Sequence, residues 1–281
     1  MSFSSEVKEE LKKQYGRSRH CQIAEMAGIL EMEGRLDQVT HEIIFSGNNE
    51  SLKEKYITLR KKAFGEDAPD EKILEALRWP KDQQEIVHTD GLLLQRTCCK
   101  RAFIRGTFMA AGSISNPNKA YHFEIVCKRR KQAEQLQKMM EFFDMEAKIV
   151  ERKDRFVVYL KEGSQIVDML NVMEAYVSLM NLENVRILKE MRNSVNRKVN
   201  CETANINKTV NAAVKQTEAI CKIRDIIGFD KIPYQLAEIA QARLDYPDAT
   251  LKELGACLDP PVGKSGVNHR LRKLAEIAED L

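Results

Sequence analysis

The hydrophobic and polar positions along the chain predict alternating helices and strands over the first 180 residues. Apolar residues recur every three or four positions where a helix is expected, and every second position where a strand is expected. Helices are predicted over residues 4–14, 23–33, 52–64, 99–111, 131–143 and 166–173. Strands are predicted over residues 40–45, 121–127, 147–151 and 156–160, the last two forming a hairpin about a Lys153-Asp154 turn. Residues 68–90 match neither pattern and receive no assignment.

This order of elements occurs twice. The nine residues from Met26 to Gly34 correspond to the nine from Ile104 to Gly112, and each nonapeptide carries two glycines six positions apart. The two copies lie 78 residues apart, which is too far for a solenoid repeat. Two fused copies of an α-β-α unit about a pseudo-twofold axis fit this spacing, and two unrelated buried helices are the alternative. The small residues of the two nonapeptides would let the helices approach closely; they are Ala27, Gly28, Gly106 and Ala110.

The last fifty residues predict three helices with a tight break before the third. Thr250 is the expected N-cap of the second helix, and Glu253 completes a capping box. Two consecutive prolines at 260 and 261 then end that helix, because proline cannot continue one. The third helix begins near Ser265 and is expected to bury Val267 and Leu271. Three helices in this arrangement are typical of a helix-turn-helix.

Length and composition indicate a folded protein of about two domains. The 281 residues are 31% charged and 43% hydrophobic, which excludes a collagen-like or wholly disordered chain. No apolar run is long enough for a membrane span, and the N-terminus lacks the pattern of a secretory signal. The seven cysteines are scattered without a C-x-x-C pair, and the five histidines lack a ligand spacing. We therefore expect no disulfide framework, no metal site, no cofactor and a reducing cytoplasm.

The positive charge is concentrated in two segments. The net charge is only +3, yet residues 186–224 hold nine basic and three acidic side chains, and residues 260–275 hold no acid. Local basic patches are typical of proteins that bind polyanions. The alternative is an ordinary solvated face.

The last helix offers the sharper set of candidate DNA contacts. Ser265, Asn268, His269 and Arg272 lie opposite its apolar face, near the N-terminal end that enters the major groove in a helix-turn-helix. Asparagine pairs well with adenine and arginine with guanine. The flanking basic residues, at positions suited to phosphates, are Lys264, Arg270 and Lys273. The alternative is a solvated face of a protein-binding module.

A second polar surface is predicted further upstream. Asparagine is a poor helix former, yet Asn193, Asn196, Asn200 and Asn207 keep to about one helical face. With Arg192 and Arg197 they could form a second DNA-contacting or interdomain surface. A linker with local side-chain caps is the equal alternative.

Two sets of motifs resemble known families. The two nonapeptides resemble degenerate LAGLIDADG motifs, and residues 192–205 and 264–273, with the Arg105-Gly106 helix, resemble the WhiA family over the whole chain. The resemblance implies two motif helices packed over a saddle-shaped sheet and joined to a helix-turn-helix. In active homing endonucleases of this fold, the last acid of each motif binds a divalent metal that stabilises the attacking and leaving oxygens. Here those positions are Glu33 and Ala111; alanine cannot bind a cation, and Met109 offers no substitute.

The sequence and the resemblance together predict an α+β protein. A pseudo-symmetric LAGLIDADG homing-endonuclease-like domain is expected over residues 1–183, with motif helices near 23–34 and 100–112. A basic helical linker is expected over 184–230 and an all-α helix-turn-helix DNA-binding domain over 231–281.

The resemblance implies a non-enzymatic bacterial transcription regulator with roles in cell division, chromosome segregation and sporulation. The expected partner is double-stranded DNA, with RNA polymerase or another regulator as further candidates. The expected state is a monomer in the cytoplasm, associated with the nucleoid and not with membrane. The alternatives are a metal-dependent LAGLIDADG homing endonuclease centred on Glu33 and a protein-interaction scaffold.

Overall fold

The structure, a computed structural model, describes residues 2–37, 39–80 and 83–281. It divides into two compact units, Met1–Glu190 and Met191–Leu281. Each unit has its own cluster of buried hydrophobic side chains, and none of the residues that the structure describes belongs to both clusters.

The N-terminal unit combines helices with antiparallel strands. Its helices are α1 (Phe3–Lys12), α2 (Arg19–Glu33), α3 (Glu50–Phe64), α4 (Asp70–Ala76), α5 (Thr97–Ala111), α6 (Arg130–Glu141) and α7 (Gly163–Met173). Its strands are β1 (Gly34–Leu36), β2 (Ile43–Phe45), β3 (Gly112–Ile114), β4 (Phe123–Cys127), β5 (Lys148–Arg152) and β6 (Arg155–Leu160). Strand β1 pairs with β2, and a second sheet has the order β3-β4-β6-β5. The long helix α8 (Tyr176–Ile226) begins in this unit.

The duplicated order of elements is present in the structure. Each motif helix ends at a glycine that begins a strand, Gly34 in the first copy and Gly112 in the second. Each strand pairs antiparallel with the next, so that Gly34 lies opposite Phe45 and Gly112 opposite Ile125. The copies then differ, because the first continues into α4 while the second adds the hairpin β5-β6. The hairpin is confirmed: Lys153 and Asp154 have positive φ angles of 44° and 61°, as a two-residue hairpin turn requires.

The two motif helices contact each other backbone to backbone. A Cβ on Gly28 would overlap the carbonyl oxygen of Phe103, and a Cβ on Gly106 would overlap the carbonyl oxygen of Glu25. Residues 21–32 are buried throughout, which explains why the hydrophobic pattern of α2 is nearly continuous. The predicted close approach of the two helices is therefore confirmed.

Two strand predictions need correction. The strand expected over residues 40–45 begins only at Ile43, because Thr40 lies in a turn and His41 has a positive φ of 56°. The strands β1 and β3 were not predicted. Each has three residues and follows a helix directly, so it is too short to show an alternating pattern.

The C-terminal unit is all helical. The end of α8 packs with α9 (Tyr234–Asp245), α10 (Leu251–Ala256) and α11 (Lys264–Glu279). The predicted capping box is confirmed: the Glu253 N–H donates to Thr250 Oγ1 (3.3 Å) and the Thr250 N–H to Glu253 Oε2 (2.7 Å). Ile220 and Ile223 of α8 belong to this core, although the sequence placed them in a linker. Within the part of the chain described, no helix is long and apolar enough to cross a membrane.

Candidate nucleic-acid interface

Helix α11 separates an apolar side from a polar one. Val267, Leu271 and Leu274 are buried against α9 and α10. The opposite side leaves most of the sequence-predicted contact residues exposed: Lys264, Ser265, Asn268, His269, Arg272 and Lys273. The first ten residues of the helix therefore present hydroxyl, amide, imidazole and cationic groups to solvent. These groups can hydrogen-bond base edges and phosphates.

Arg270 is placed differently from its neighbours. Its side chain is only 18% exposed, and its guanidinium lies 3.5 Å from Glu238 Oε2 and donates to the carbonyl oxygen of Gln235 (3.4 Å). Glu238 in turn accepts a hydrogen bond from the Asp259 N–H. The sequence pattern places Arg270 among the basic residues that flank the polar face of α11, and the structure corrects this placement. Arg270 immediately precedes buried Leu271, lies at the edge of the buried side, and links α11 to α9. Its contact with phosphate stays a prediction.

A groove of about 500 Å³ lies beside the N-terminal end of α11, within the C-terminal unit. Lys264 and Asn268 line it, together with Lys208 of α8 and Lys252 of α10. The sequence had not singled out Lys252, and had counted Lys208 only as part of a basic segment. Lys208 and Lys252 lie on other helices, 56 and 12 residues before Lys264, so only the packing of α8 and α10 shows that they belong to the same surface.

Arg243 of α9 also lines this groove. It is buried, and its guanidinium donates to the carbonyl oxygens of Pro247 (3.2 Å) and Ala249 (2.7 Å). Burial lowers the pKa of Arg243 from its ordinary value. Its two hydrogen bonds hold the chain segment that leads into α10, so this arginine supports the wall of the groove.

The asparagine-rich surface lies on α8. Arg192, Asn193, Asn196, Arg197 and Asn200 are all exposed on this continuous helix. The asparagines share a face because their offsets of three and seven residues match the helical repeat. Arg197 makes a local hydrogen bond to the carbonyl oxygen of Asn193 (3.3 Å). These side chains are accessible to a ligand, and their role stays a prediction.

The positions equivalent to nuclease acids lie at the C-terminal ends of the motif helices. Glu33 is half-buried, and Ala111 ends α5. Glu31, two residues before Glu33, is buried, and its Oε2 accepts hydrogen bonds from the Thr89 N–H (2.8 Å) and hydroxyl (2.6 Å). Burial raises the pKa of Glu31 to about 7, although these hydrogen bonds favour its charged form. Across residues 2–37, 39–80 and 83–281, the one compact group of His, Cys, Asp and Glu does not include Glu33.

Two glycine-packed motif helices, each leading into a strand, together with a three-helix unit define a LAGLIDADG-like domain followed by a helix-turn-helix domain. Family models agree: residues 100–192 match the WhiA LAGLIDADG-like domain and residues 195–278 the WhiA C-terminal HTH domain. The chain belongs to the WhiA family.

Curated relatives match over the full chain. The chain is 50% identical to the probable cell division protein WhiA of Lachnoclostridium phytofermentans, covering 100% of this chain and 99% of that protein. It is 48% identical to the protein of the same name from Lachnospira eligens, covering 100% and 98%. The crystal structure of full-length DUF199/WhiA from Thermotoga maritima superposes with a TM-score of 0.58 at 25% identity, covering 100% of this chain and 99% of that chain.

Proposed function

We propose that this chain is a DNA-binding transcription regulator of cell division that has no enzymatic activity. The observation that carries the proposal is the exposed polar side of α11, which opposes a buried apolar side within a helix-turn-helix unit. In such units the N-terminal part of the last helix enters the major groove of double-stranded DNA.

The contacts divide into base-reading and phosphate-binding residues. Asn268 suits adenine and Arg272 suits guanine, because each can form two hydrogen bonds with one base edge. Ser265 and His269 lie beside them and add single hydrogen bonds. Phosphates would be bound by the lysines of α11 and the adjoining groove, Lys208, Lys252, Lys264 and Lys273. The surface from Arg192 to Asn200 extends the interface along the DNA backbone.

The absence of catalysis follows from the motif positions. In active homing endonucleases of this fold, acidic residues from both motif helices bind the metal ions that assist phosphodiester hydrolysis. Here one helix ends in Glu33 and the other in Ala111. A homing endonuclease would instead yield linear product from a plasmid carrying its bound site, dependent on magnesium or manganese and abolished by Glu33→Ala.

The relatives supply the biological setting of the proposal. Both are named as probable cell division proteins. We extend this to chromosome segregation and sporulation, with a monomer acting at the nucleoid in the cytoplasm and RNA polymerase or another regulator as its protein partner. We assign residues 1–183 to the LAGLIDADG-like domain, 184–230 to a basic linker whose Ile220 and Ile223 pack into the C-terminal core, and 231–281 to the DNA-binding domain.

The proposal is tested on sites recovered by genome-wide crosslinking of the tagged protein. Fluorescence anisotropy on matched and scrambled duplexes, across a salt series, measures each variant. Arg272→Ala is expected to weaken specific binding by about 1–3 kcal/mol, because a bidentate contact to a base is lost. Lys273→Ala is expected to weaken both duplexes alike and to reduce the salt dependence by about one charge.

The matched control is Lys231→Ala, which removes one exposed positive charge outside the groove in the same unit. It should leave the discrimination between duplexes unchanged, and circular dichroism should show every variant folded. Unchanged affinity and specificity in a His269→Ala/Arg272→Ala double variant would mean that α11 does not recognise the site. The protein-interaction scaffold would then explain the C-terminal unit better.

A further inference from the structure

Four metal-ligating side chains meet where the two motif helices begin. They are His20 and Cys21 of α2 with Cys98 and Cys99 of α5, and their ligand atoms all lie within 4.8 Å of one another. His20 Nδ1 lies 3.2 Å from Cys99 Sγ, 3.3 Å from Cys21 Sγ and 4.0 Å from Cys98 Sγ. Cys21 and Cys99 are buried, His20 is half-buried and Cys98 is exposed, so the cluster is reachable from solvent on one side.

We propose that this cluster is a structural Zn²⁺ site with three thiolate ligands and one imidazole ligand. Zinc binds sulfur at about 2.3 Å and nitrogen at about 2.0–2.1 Å in a tetrahedron, which puts neighbouring ligand atoms about 3.5–3.8 Å apart. The separations from His20 Nδ1 are close to that spacing. An iron–sulfur cluster holds its ligands around several metal atoms and needs a wider arrangement. Four protein ligands also leave no open position, so the ion would stabilise the fold and would not activate water.

The internal duplication of the chain explains how this site arises. The offset of 78 residues that relates Gly28 to Gly106 also relates His20 to Cys98 and Cys21 to Cys99. Each pair occupies the second and third positions of its motif helix. The same packing that brings the helices into backbone contact at their glycines therefore brings their first turns together. Each helix supplies two ligands that are adjacent in the sequence. The site therefore has no C-x-x-C or H-x-x-x-H spacing from which it could be predicted.

The electrostatic surroundings suit the charge of the complex. One Zn²⁺ with three thiolates and a neutral imidazole has a net charge of −1. Two helix N-terminal ends stabilise that charge. Because a thiol loses its proton when it binds zinc, zinc uptake by this cluster releases protons.

The test uses the full-length chain, purified without a metal-binding tag under reducing conditions, stripped with a chelator and reloaded with Zn²⁺. Inductively coupled plasma mass spectrometry is expected to find one zinc per chain after gel filtration. Replacement by Co²⁺ should give the visible ligand-field bands of a tetrahedral thiolate site. Zinc should also raise the thermal unfolding midpoint, because it binds the folded state.

Variants separate a built site from incidental binding to thiols. Cys98→Ser/Cys99→Ser should lose the zinc and the cobalt bands, and His20→Asn should weaken zinc binding by more than about tenfold against a chromophoric chelator. The matched control, Cys201→Ser/Cys257→Ser, removes two exposed cysteines of the C-terminal unit and should retain one zinc. Circular dichroism checks that each variant is folded.

Three results would overturn the proposal. They are a reduced wild-type protein that retains no zinc, a folded His20→Asn variant with undiminished affinity, and a Cys98→Ser/Cys99→Ser variant that still binds one equivalent. If the reduced protein takes up no zinc and air oxidation joins Cys21 to Cys98 or Cys99, the cluster is a thiol switch and the zinc assignment is wrong.

Discussion

Two glutamates inside the first motif helix show how a buried polar residue depends on distant partners. Glu25 lies between Lys55 (3.0 Å) and Arg105 (2.8 Å), and Glu31 is held by Thr89. Burial lowers the pKa of Lys55, and the Glu25 carboxylate opposes that effect. From the sequence pattern, this helix is predicted to be apolar at nearly every position. It did not show which segments would supply the charges and donors that make these two acids tolerable in a core.

Glu31→Gln tests the buried carboxyl through the pH dependence of stability. The folded pKa of about 7 lies above the unfolded value of about 4.3. Between these values the folded state binds more protons, so this group makes stability fall as the pH rises from about 4.5 to 7. Glutamine should remove that contribution. The free energy of unfolding of the variant, relative to wild type, should therefore increase with pH over this window. The slope of that increase corresponds to the binding of at most one proton.

Urea unfolding at a series of pH values measures the effect. Parallel pH profiles for Glu31→Gln and wild type would show that the pKa of this carboxyl is the same in the folded and unfolded states, which contradicts the expectation.

In the motif helices, the glycines that repeat in the sequence are the residues at which the two helices contact each other. Glycine within a helix costs about 1 kcal/mol relative to alanine, yet each motif helix carries one in its interior, Gly28 and Gly106. Glycine is required at both positions, because any side chain there would overlap a backbone carbonyl of the facing helix. Rotating a side chain cannot relieve such an overlap. The repeat in the sequence therefore predicted a real interface between two elements.

Gly106→Ala is expected to destabilise the N-terminal unit by about 1–3 kcal/mol, because overpacking outweighs the gain in helix propensity. Gly91→Ala is the control, since a Cβ there meets no atom within 4 Å. Thermal unfolding followed by circular dichroism compares the two. A Gly106→Ala protein as stable as wild type would mean that the helices can separate slightly without loss.

Two separate hydrophobic cores govern the behaviour of the chain as a whole. The single tryptophan, Trp79, is buried in the N-terminal unit, where its indole N–H donates to the carbonyl oxygen of Gln83 (3.0 Å). Its fluorescence therefore reports on that unit alone. Leu271, by contrast, is buried in the core of the C-terminal unit.

Leu271→Ala is expected to destabilise the C-terminal unit by about 2–5 kcal/mol, because it opens a cavity in that core. The urea transition followed by Trp79 fluorescence should keep its midpoint, while part of the helical circular dichroism signal is lost at lower urea. Leu52→Ala, in the N-terminal core, is the converse control and should shift the fluorescence midpoint. Equal shifts of both signals in Leu271→Ala would show that the two units unfold as one.

The sequence by itself determined the features that depend on neighbours along the chain. The hairpin turn at Lys153-Asp154, the capping box of α10 and the helical periods of α1, α3 and α11 are of this kind. So is the repeated nonapeptide, because a duplicated stretch keeps its spacing in the sequence. The predicted helix ends differ from the observed ends by a few residues. The strands β1 and β3 were not predicted, because three residues are too few to show an alternating pattern.

Only the tertiary structure decided what distant segments do together. It turned Arg270 towards Glu238, and it placed Lys208 and Lys252 beside Lys264 in one groove. It also gathered His20 and three cysteines from the starts of two helices. None of these groupings has a spacing of its own in the sequence. Each exists because buried apolar faces and closely packed glycines fix where the helices lie, and the polar side chains that they carry are thereby brought together.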